Sequence, residues 1–499
     1  MAFMGLDIGT TGSKAVVFSL DGKILASAYR EYPMHSPRAG WLELDPNEVM
    51  AAVREVVTKV QADSPEPIEA FGTSGLGEAF VPVDANMQPL DNSIIGFDVR
   101  GQKECDEFRQ QIDNVDVFKI TGHPINSYHS LFKILHLRNH QPEMFAKVHK
   151  FLCFPDFLSA RLGIEPAIDY SLAARMLLFD VNEKRWSSRL LDLVGLDSSL
   201  LARPAAPGQV IGRVGRNDLG FAEGMAMVPG LHDQPAGILG AGVDVGQSML
   251  ATGTVVCMGV LLDQQVDPAV MTRSNLCRYP TYGGNSVSLA WNFTGGSALR
   301  WFRDNFAQDL ADQARRDNAD VYDLIFRSLP EKPTNLLFLP YLTTTGTPYL
   351  DTQAAGALVG LHLKTTRWDI ARAVVEGVVY ELRLNQDLLT QAGVRIDEYR
   401  GIGGAAKSPV WMQTYADVLD RPVTVLEITE GACWGVALLA AAGLGRIDNA
   451  ADYARKAVIS GRTYKPRAEF RDLYQKRLDL YRQIYPTNKD LIHQLVQLD

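Results

Sequence analysis

The sequence predicts an α/β protein built as two halves of similar plan, and two observations carry that prediction. The first is length, because 499 residues are more than one hydrophobic core ordinarily serves. The second is a weak internal repeat. An apolar strand broken by a small, hydroxyl-bearing turn opens the chain as GLDIGTTGSKAVVF and returns at residues 248–262 as SMLATGTVVCMGVLL. The repeat sets a boundary near residues 242–248, so the expected domains are residues 1–245 and 246–499.

Residues 3–7 form a short apolar strand that 13–18 resume after a Gly/Thr turn. Asp21 and Gly22 then signal a hairpin into 24–32, so the opening reads as a β-meander. Residues 46–60 carry helical spacing, with Val49, Val53, Val56, Val57 and Val60 on one face. A buried strand over 68–72 ends in the Gly-rich TSGLGE, and 81–84 and 94–98 are two further short strands. From 105 to about 161 the pattern is helical, with Leu131, Ile134, Leu135 and Leu137 in one segment. A Pro/Gly-rich stretch over 204–230 leads into LHDQPAGILGAGVDVG. In the second half, helices are expected at 368–391, 410–419 and 433–442, and the last fifty or so residues read as amphipathic helices over a formed core.

Composition narrows the function. A net charge of −9 without a basic run argues against a general nucleic-acid or anionic-membrane surface, though not against a local phosphate site. No stretch reaches the roughly 18 apolar residues of a membrane span, and the start is strand-like rather than a basic leader. Cys105, Cys153, Cys257, Cys277 and Cys433 are scattered without CxxC spacing, which predicts a reduced, cytoplasmic protein with no disulfide framework or structural zinc. His123, His129, His136, His140 and His149 fall close together, but no third ligand stands at suitable spacing, so they read as surface-helix residues.

Four motifs can carry chemistry. In Asp7–Lys14 (DIGTTGSK), glycines let a turn approach phosphate oxygens, turn amides and hydroxyls can donate to them, and a strand-end carboxylate can hold Mg²⁺ through water, because Mg²⁺ dehydrates reluctantly. The spacing is not GxxxxGK[ST], and an ordinary Gly/Thr hairpin would look the same. Asp233, in GLHDQPAG, stands where a carboxylate could accept a proton, although Asp is equally suited to cap a helix there. GIGGAAKS (401–408) offers small residues against which a flat ring could lie, and NFTGGS (292–297) offers a weaker version; both are also ordinary strand-to-helix turns.

Taken in order, these segments resemble the FGGY carbohydrate kinases over nearly the whole chain. The opening GLDIGTTGSKAVVF with GWLELDP, then IGFDVRG, HDQPAGILGAG, GALVGLHLKTTRWDIARAVVEG and GIGGAAKSPVWMQTYADVLDRPV followed by EGACWGVALLAA all match the family's pattern in spacing. The resemblance implies a two-domain actin-like ATPase (ribonuclease H-like) fold with a cleft between the domains, and ATP and Mg²⁺ as cofactors. Carried over, Asp7 and Asp233 would serve the metal, and Asp233 would be the general base. Thr10, Thr11 and Ser13 would meet the terminal phosphates, and Gly253 with Thr254 would form the matching loop of the second domain. Gly295, Gly296, Gly403, Gly404 and Ala405 would flank the nucleotide. Glu78, Asp98, Tyr128, Asp233 and Gln234 would hold the acceptor, with Glu78 and Asp98 both expected at strand ends.

The implied reaction is ATP-dependent phosphorylation of a terminal hydroxyl of a small sugar or polyol, a ketopentose such as xylulose first, with glycerol, a tetritol or another polyol as the alternative. The chain departs from the pattern in several places. Glu78 resembles the acid of glycerol kinases, but Gly77 replaces its Arg partner. Pro340, Tyr341 and Leu342 with Thr347 and Pro348 resemble the pentulose-kinase PYLxGERTP, yet Thr345 and Gly346 replace Glu-Arg, and His136 stands where Trp is usual. A paired-carboxylate hydrolase is another use for Glu78 and Asp98 but leaves the glycine motifs unexplained, and either residue could instead cap backbone amides. A non-catalytic ATP- and sugar-sensing regulator on the same fold would have little use for Asp7, Asp233 and Thr254, and a polymerising or chaperone ATPase gives no reason for Glu78. A homodimer is compatible with such an enzyme.

Overall fold

The computed structural model describes residues 1–428 and 430–498. The chain divides into two compact units, one of Met1–Val243, Cys277–Val287 and Glu430–Val458, the other of Asp244–Leu276, Ser288–Thr429 and Ile459–Asp499. The chain first crosses between the units after Val243, and two later segments return to the first unit.

The first unit is organised on a mixed sheet in the order Gly212–Arg213, Ala226–His232, Ile68–Gly75, Ala2–Ile8, Gly12–Ser19 and Ile24–Glu31. The expected meander is its antiparallel part, turned by Gly22 at φ +86°. Ile68–Gly75 lies parallel to both Ala2–Ile8 and Ala226–His232. These three strands are buried almost throughout, because both faces of the sheet are covered. Helix Pro46–Asp63 buries Val49, Val53, Val56, Val57 and Val60 as expected; Asp45 caps it, accepting from the Asn47 amide. Helix Gly431–Gly443 presses closely on the strands. A Cβ on Gly5 would lie 1.9 Å from the Cys433 carbonyl oxygen, and one on Gly72 would lie 2.1 Å from that of Val436. Gly5 and Gly72 are register partners on adjacent strands, so two missing side chains form one shallow seat for the helix.

Two expectations change here. The strand expected over 94–98 is only Ser93–Ile94, because the following residues form a turn around the Asp98 carboxylate. The helical stretch expected from 105 is broken into Gln102–Arg109, Asn114–Thr121, Ser130–His140, Pro142–Phe145 and Phe154–Arg161, with strand Lys150–Leu152 between the last two. Gly122, in the left-handed region, ends one of these helices, and Pro142 opens another.

The second unit repeats the plan. Its sheet includes, in order, Ser286–Asn292, Val256–Leu262, Gln247–Thr252, Glu398–Ile402, Val423–Leu426 and Ser460–Tyr464. Gln247–Thr252 pairs antiparallel with Val256–Leu262 and parallel with Glu398–Ile402, as Ala2–Ile8 does with Gly12–Ser19 and Ile68–Gly75. The weak repeat in the sequence is therefore a repeat of topology. Helix Arg367–Gln391 begins in a capping box of Thr366 and Asp369, and the C-terminal segment is one helix, Arg471–Val496, with Pro486 inside it. No helix among the described residues is long and apolar enough to cross a membrane.

Candidate active site

In the first unit three parallel strands end together at Ile8, Gly75 and His232, with Asp7 and Leu231 both in register with Ser74. Ligands of open α/β sheets bind beyond such carboxyl ends. Asp7 sits on this edge. Burial and then the charge of Asp233 push its carboxyl up to about 6, against the opposing effects of Ser74, Lys14 and His232. Its Oδ1 is buried without a hydrogen-bond partner. Lys14 is itself tied to Glu430 at 2.9 Å.

The turn after Asp7 is fixed by its own backbone and by the third strand. The Gly9 amide donates to the Gly12 carbonyl at 3.0 Å, and the Tyr32 amide donates to Thr11 at 3.2 Å. The Tyr32 hydroxyl donates to the Gly9 carbonyl at 2.5 Å. Thr10 is half-buried and Thr11 exposed, while Ser13 is buried with its hydroxyl oxygen unpartnered. Tyr32 carried no sequence signal beyond its place at the end of the meander.

Asp233 is the first residue of helix Asp233–Gly240, where the positive end of the helix favours a carboxylate. Burial pushes its carboxyl up, but the charge and hydrogen bonding of His232, with Arg175, outweigh it and hold the group below its ordinary value. His232 Nε2 lies 3.0 Å from Asp233 Oδ1. The other ring nitrogen, Nδ1, is 3.0 Å from the buried Tyr279 hydroxyl, and the His232 amide donates to Ser171 Oγ at 2.8 Å. With the phenol donating to Nδ1, Nε2 is the nitrogen that carries a proton toward Asp233. Gln234, next on the helix, has a buried Oε1 without a partner. The sequence singles out Asp233 and Gln234 but not the histidine and tyrosine behind them; His232 is adjacent in the motif, whereas Tyr279 comes from a distant segment.

Glu78 is buried, in the left-handed region at φ +60°, and forms an ion pair with Arg175, the last residue of helix Tyr170–Arg175. Tyr128 lies close enough for its phenol to feel both Arg175 and Glu78, although burial is the larger cause of its raised pKa. Its carbonyl accepts from Lys133 Nζ at 2.5 Å. Lys133 is fully buried; burial lowers its ammonium to about 7 while Glu78 and Asp98 work against that shift. Asp98 is engaged differently from the expectation. Its Oδ1 accepts from the amide and Nε of Arg100 at 2.8 and 2.9 Å, and its Oδ2 from the Leu42 amide and Arg100 Nη2, both at 2.7 Å. It lies in a turn past Ile94 rather than at a strand end, and its lone pairs serve the protein itself.

The second unit gathers its own small-residue turns. Gly253 and Thr254 are exposed between the strands of the hairpin. The amides of Gly295 and Gly296 donate to the carbonyls of Thr254 and Gly253, each at 2.8 Å, and Ser297 Oγ donates to Thr254 at 3.1 Å. These two amides therefore brace the hairpin turn. Gly403 has φ +96°, and a Cβ on it would lie 2.7 Å from the Thr252 carbonyl oxygen, whereas a Cβ on Gly404 would meet nothing within 4 Å. Gly404 and Ala405 begin the short helical turn Gly404–Lys407 and leave an open backbone surface there.

Residues 2–240 match the N-terminal domain of the FGGY family of carbohydrate kinases, and residues 249–444 match its C-terminal domain. The chain belongs to that family. It is an ATP-dependent carbohydrate kinase, a phosphotransferase on the two-domain actin-like fold. Among similar proteins, the xylulose kinase of Bacillus subtilis (strain 168) is 26% identical over 501 residues, covering 98% of this chain and 97% of that protein. The gluconokinase of Bacillus licheniformis is 27% identical over 488 residues, covering 96% and 94%. The crystal structure of xylulose kinase from Rhodospirillum rubrum superposes with a TM-score of 0.89 at 26% identity, covering 99% of this chain and 100% of that one. Asp7 and Asp233 stand at the carboxyl ends of the first unit's parallel strands, and Glu78 follows the strand that ends at Gly75.

Proposed function

We propose that this kinase phosphorylates a terminal hydroxyl of a ketopentose such as xylulose, with Asp233 as the general base. The observation that carries this reading is Asp233 itself, ionised at a helix start with His232 3.0 Å behind it. A sugar hydroxyl is a poor nucleophile at neutral pH. A carboxylate that takes its proton while the new O–P bond forms contributes on the order of 10²–10⁴-fold. Glu78, Tyr128 and Gln234 would hold the acceptor's other hydroxyls; Asp98 would act through Arg100 on the shape of its turn.

Asp7 and Asp233 suit Mg²⁺, an oxygen-seeking ion, because Asp7 has an unpartnered buried oxygen and is pushed up first by burial and then by the neighbouring carboxylate. Bound there, Mg²⁺ would neutralise phosphate charge. Thr10, Thr11 and Ser13 would orient the phosphates in the first unit. In the second unit, Gly253 and Thr254 would meet phosphate, Gly295 and Gly296 would hold that turn in place, and Gly403, Gly404 and Ala405 would face the nucleotide.

A second reading, a glycerol, tetritol or other polyol kinase, is supported by the Glu78–Arg175 pair and by Gln234 beside the base. Coupled ADP release measured across ketoses, polyols and sugar acids separates the readings. Xylulose should give the highest kcat/KM, and a polyol or sugar acid outrunning it would overturn the ketopentose assignment. ADP release that no acceptor stimulates would instead favour an ATPase of the wider fold group, and no ADP release at all a non-catalytic sensor.

A further inference from the structure

Helices Gln102–Arg109 and Ser130–His140 meet through Phe108 and Phe132, whose rings lie 5.5 Å apart edge to face. On the second helix His136 and His140 are spaced i, i+4, which puts both imidazoles on one face; the rings stack at 4.2 Å. The first helix brings Glu104 to the pair. Its Oε1 is 3.7 Å from His136 Nδ1 and 3.5 Å from His140 Nε2, and the three donor atoms lie within 4.8 Å of one another. A tetrahedral ion with bonds of about 2.0–2.1 Å needs donor atoms roughly 3.3 Å apart; the two Glu104 distances are close to that, and the imidazole nitrogens would draw in from a separation of up to 4.8 Å.

The buried side of this cluster is incompletely satisfied. Glu104 is 3% exposed and its Oε2 has no hydrogen-bond partner, nor has His136 Nδ1. Asn139 Nδ2 reaches Glu104 Oε1 only at 3.4 Å. A carboxylate left thus in the interior is costly, and a cation would relieve it. His136 is also held in place, edge-on to Trp41 at 5.8 Å, with the Arg100 guanidinium 3.9 Å over the other ring. The side chain of His140 is 51% exposed, which leaves a route for the ion and a coordination position for water.

We propose that Glu104, His136 and His140 bind one late first-row divalent ion, zinc foremost, at a site separate from the one formed by Asp7 and Asp233. Two imidazoles and one carboxylate with an open fourth position match the ligand preferences of zinc, nickel or copper better than those of Mg²⁺. The test uses the full chain, stripped with chelator and returned to buffer with excess Mg²⁺ to occupy oxygen-donor sites. Calorimetric titration with Zn²⁺ near neutral pH should give one equivalent bound at micromolar Kd, and Co²⁺ should give the visible absorption of a four-coordinate site. His140→Ala, at an exposed position, and the near-isosteric Glu104→Gln should each weaken binding by about tenfold or more and abolish the Co²⁺ band. No binding by the parent chain, or unchanged affinity in both variants, overturns the proposal. Thermal melts without metal establish that both variants remain folded.

Discussion

The guanidinium of Arg175 occupies the space a side chain at position 77 would need: a Cβ on Gly77 would lie 2.4 Å from Arg175 Nε and 2.8 Å from its Cδ. The same guanidinium is the ion-pair partner of Glu78. In the sequence Gly77 looks like the loss of an Arg beside Glu78. In the fold the Arg has come from helix Tyr170–Arg175, and glycine is what admits it. Gly77→Ala should therefore push Arg175 aside and unfix Glu78. Expected is a rise in acceptor KM of about 10- to 100-fold, the scale of about 1–3 kcal/mol for a lost buried polar contact, with KM for ATP unchanged. Steady-state kinetics with each substrate varied in turn checks this; an ATP effect as large as the acceptor effect would mean that the substitution acts globally.

Asp233→Asn keeps the shape of the helix start and removes the proton acceptor. Turnover should fall about 10²–10⁴-fold while ATP affinity, measured by calorimetry, stays near that of the parent. His232→Ala should give a smaller loss, because it removes the ring that orients the carboxylate at 3.0 Å and leaves the base in place.

Asp7, raised to about 6, binds a proton in the folded chain that it has released in the unfolded chain between about pH 4 and 6. Stability from this group is thus greatest in acid and falls as pH rises through that window. Asp7→Asn should raise the melting temperature of the metal-free protein at pH 7 more than at pH 4.5. Mg²⁺ should stabilise the parent at pH 7 and lose that effect in the variant. Thermal melts across pH, with and without Mg²⁺, read both outcomes.

The sequence made local structure legible wherever neighbours in the chain determine it. The meander, the valine face of residues 49–60 and the capped start of the helix after Asp45 follow from local pattern and turn chemistry. Asp233 stands out in the sequence because its motif is contiguous. Arg175, Tyr279 and Tyr32 act on residues from other segments, and nothing local marks them. Asp98 is a related case: an acidic residue two positions before Arg100 reads as a ligand or as a cap, and the Leu42 amide that engages its lone pairs arrives from elsewhere in the chain. The return of Glu430–Val458 to the first unit was equally invisible, since helix Gly431–Gly443 has no marking except the glycines that receive it on distant strands.

Tyr341, in the PYL segment of the second unit, donates its phenol to Glu381 Oε1 at 2.8 Å, and Tyr481 of the C-terminal helix donates to the same oxygen at 2.6 Å. Glu381 is 1% exposed, and burial raises its carboxyl to about 7 against these two hydrogen bonds. Because the folded group holds its proton to higher pH than the unfolded one, its contribution to stability is full below about pH 4.5 and is lost as pH rises through 7. At pH 8 the folded chain therefore carries a buried charge that opposes folding by about 3 kcal/mol at most. Glu381→Gln keeps an oxygen to accept both phenols and cannot ionise. It should flatten the fall in stability between pH 5 and 8, measured by urea unfolding at several pH values. Tyr341→Phe should do the reverse, destabilising most at pH 8, where the carboxylate loses a donor it needs when charged. If both variants simply shift stability by a constant at every pH, Glu381 is not the titrating group.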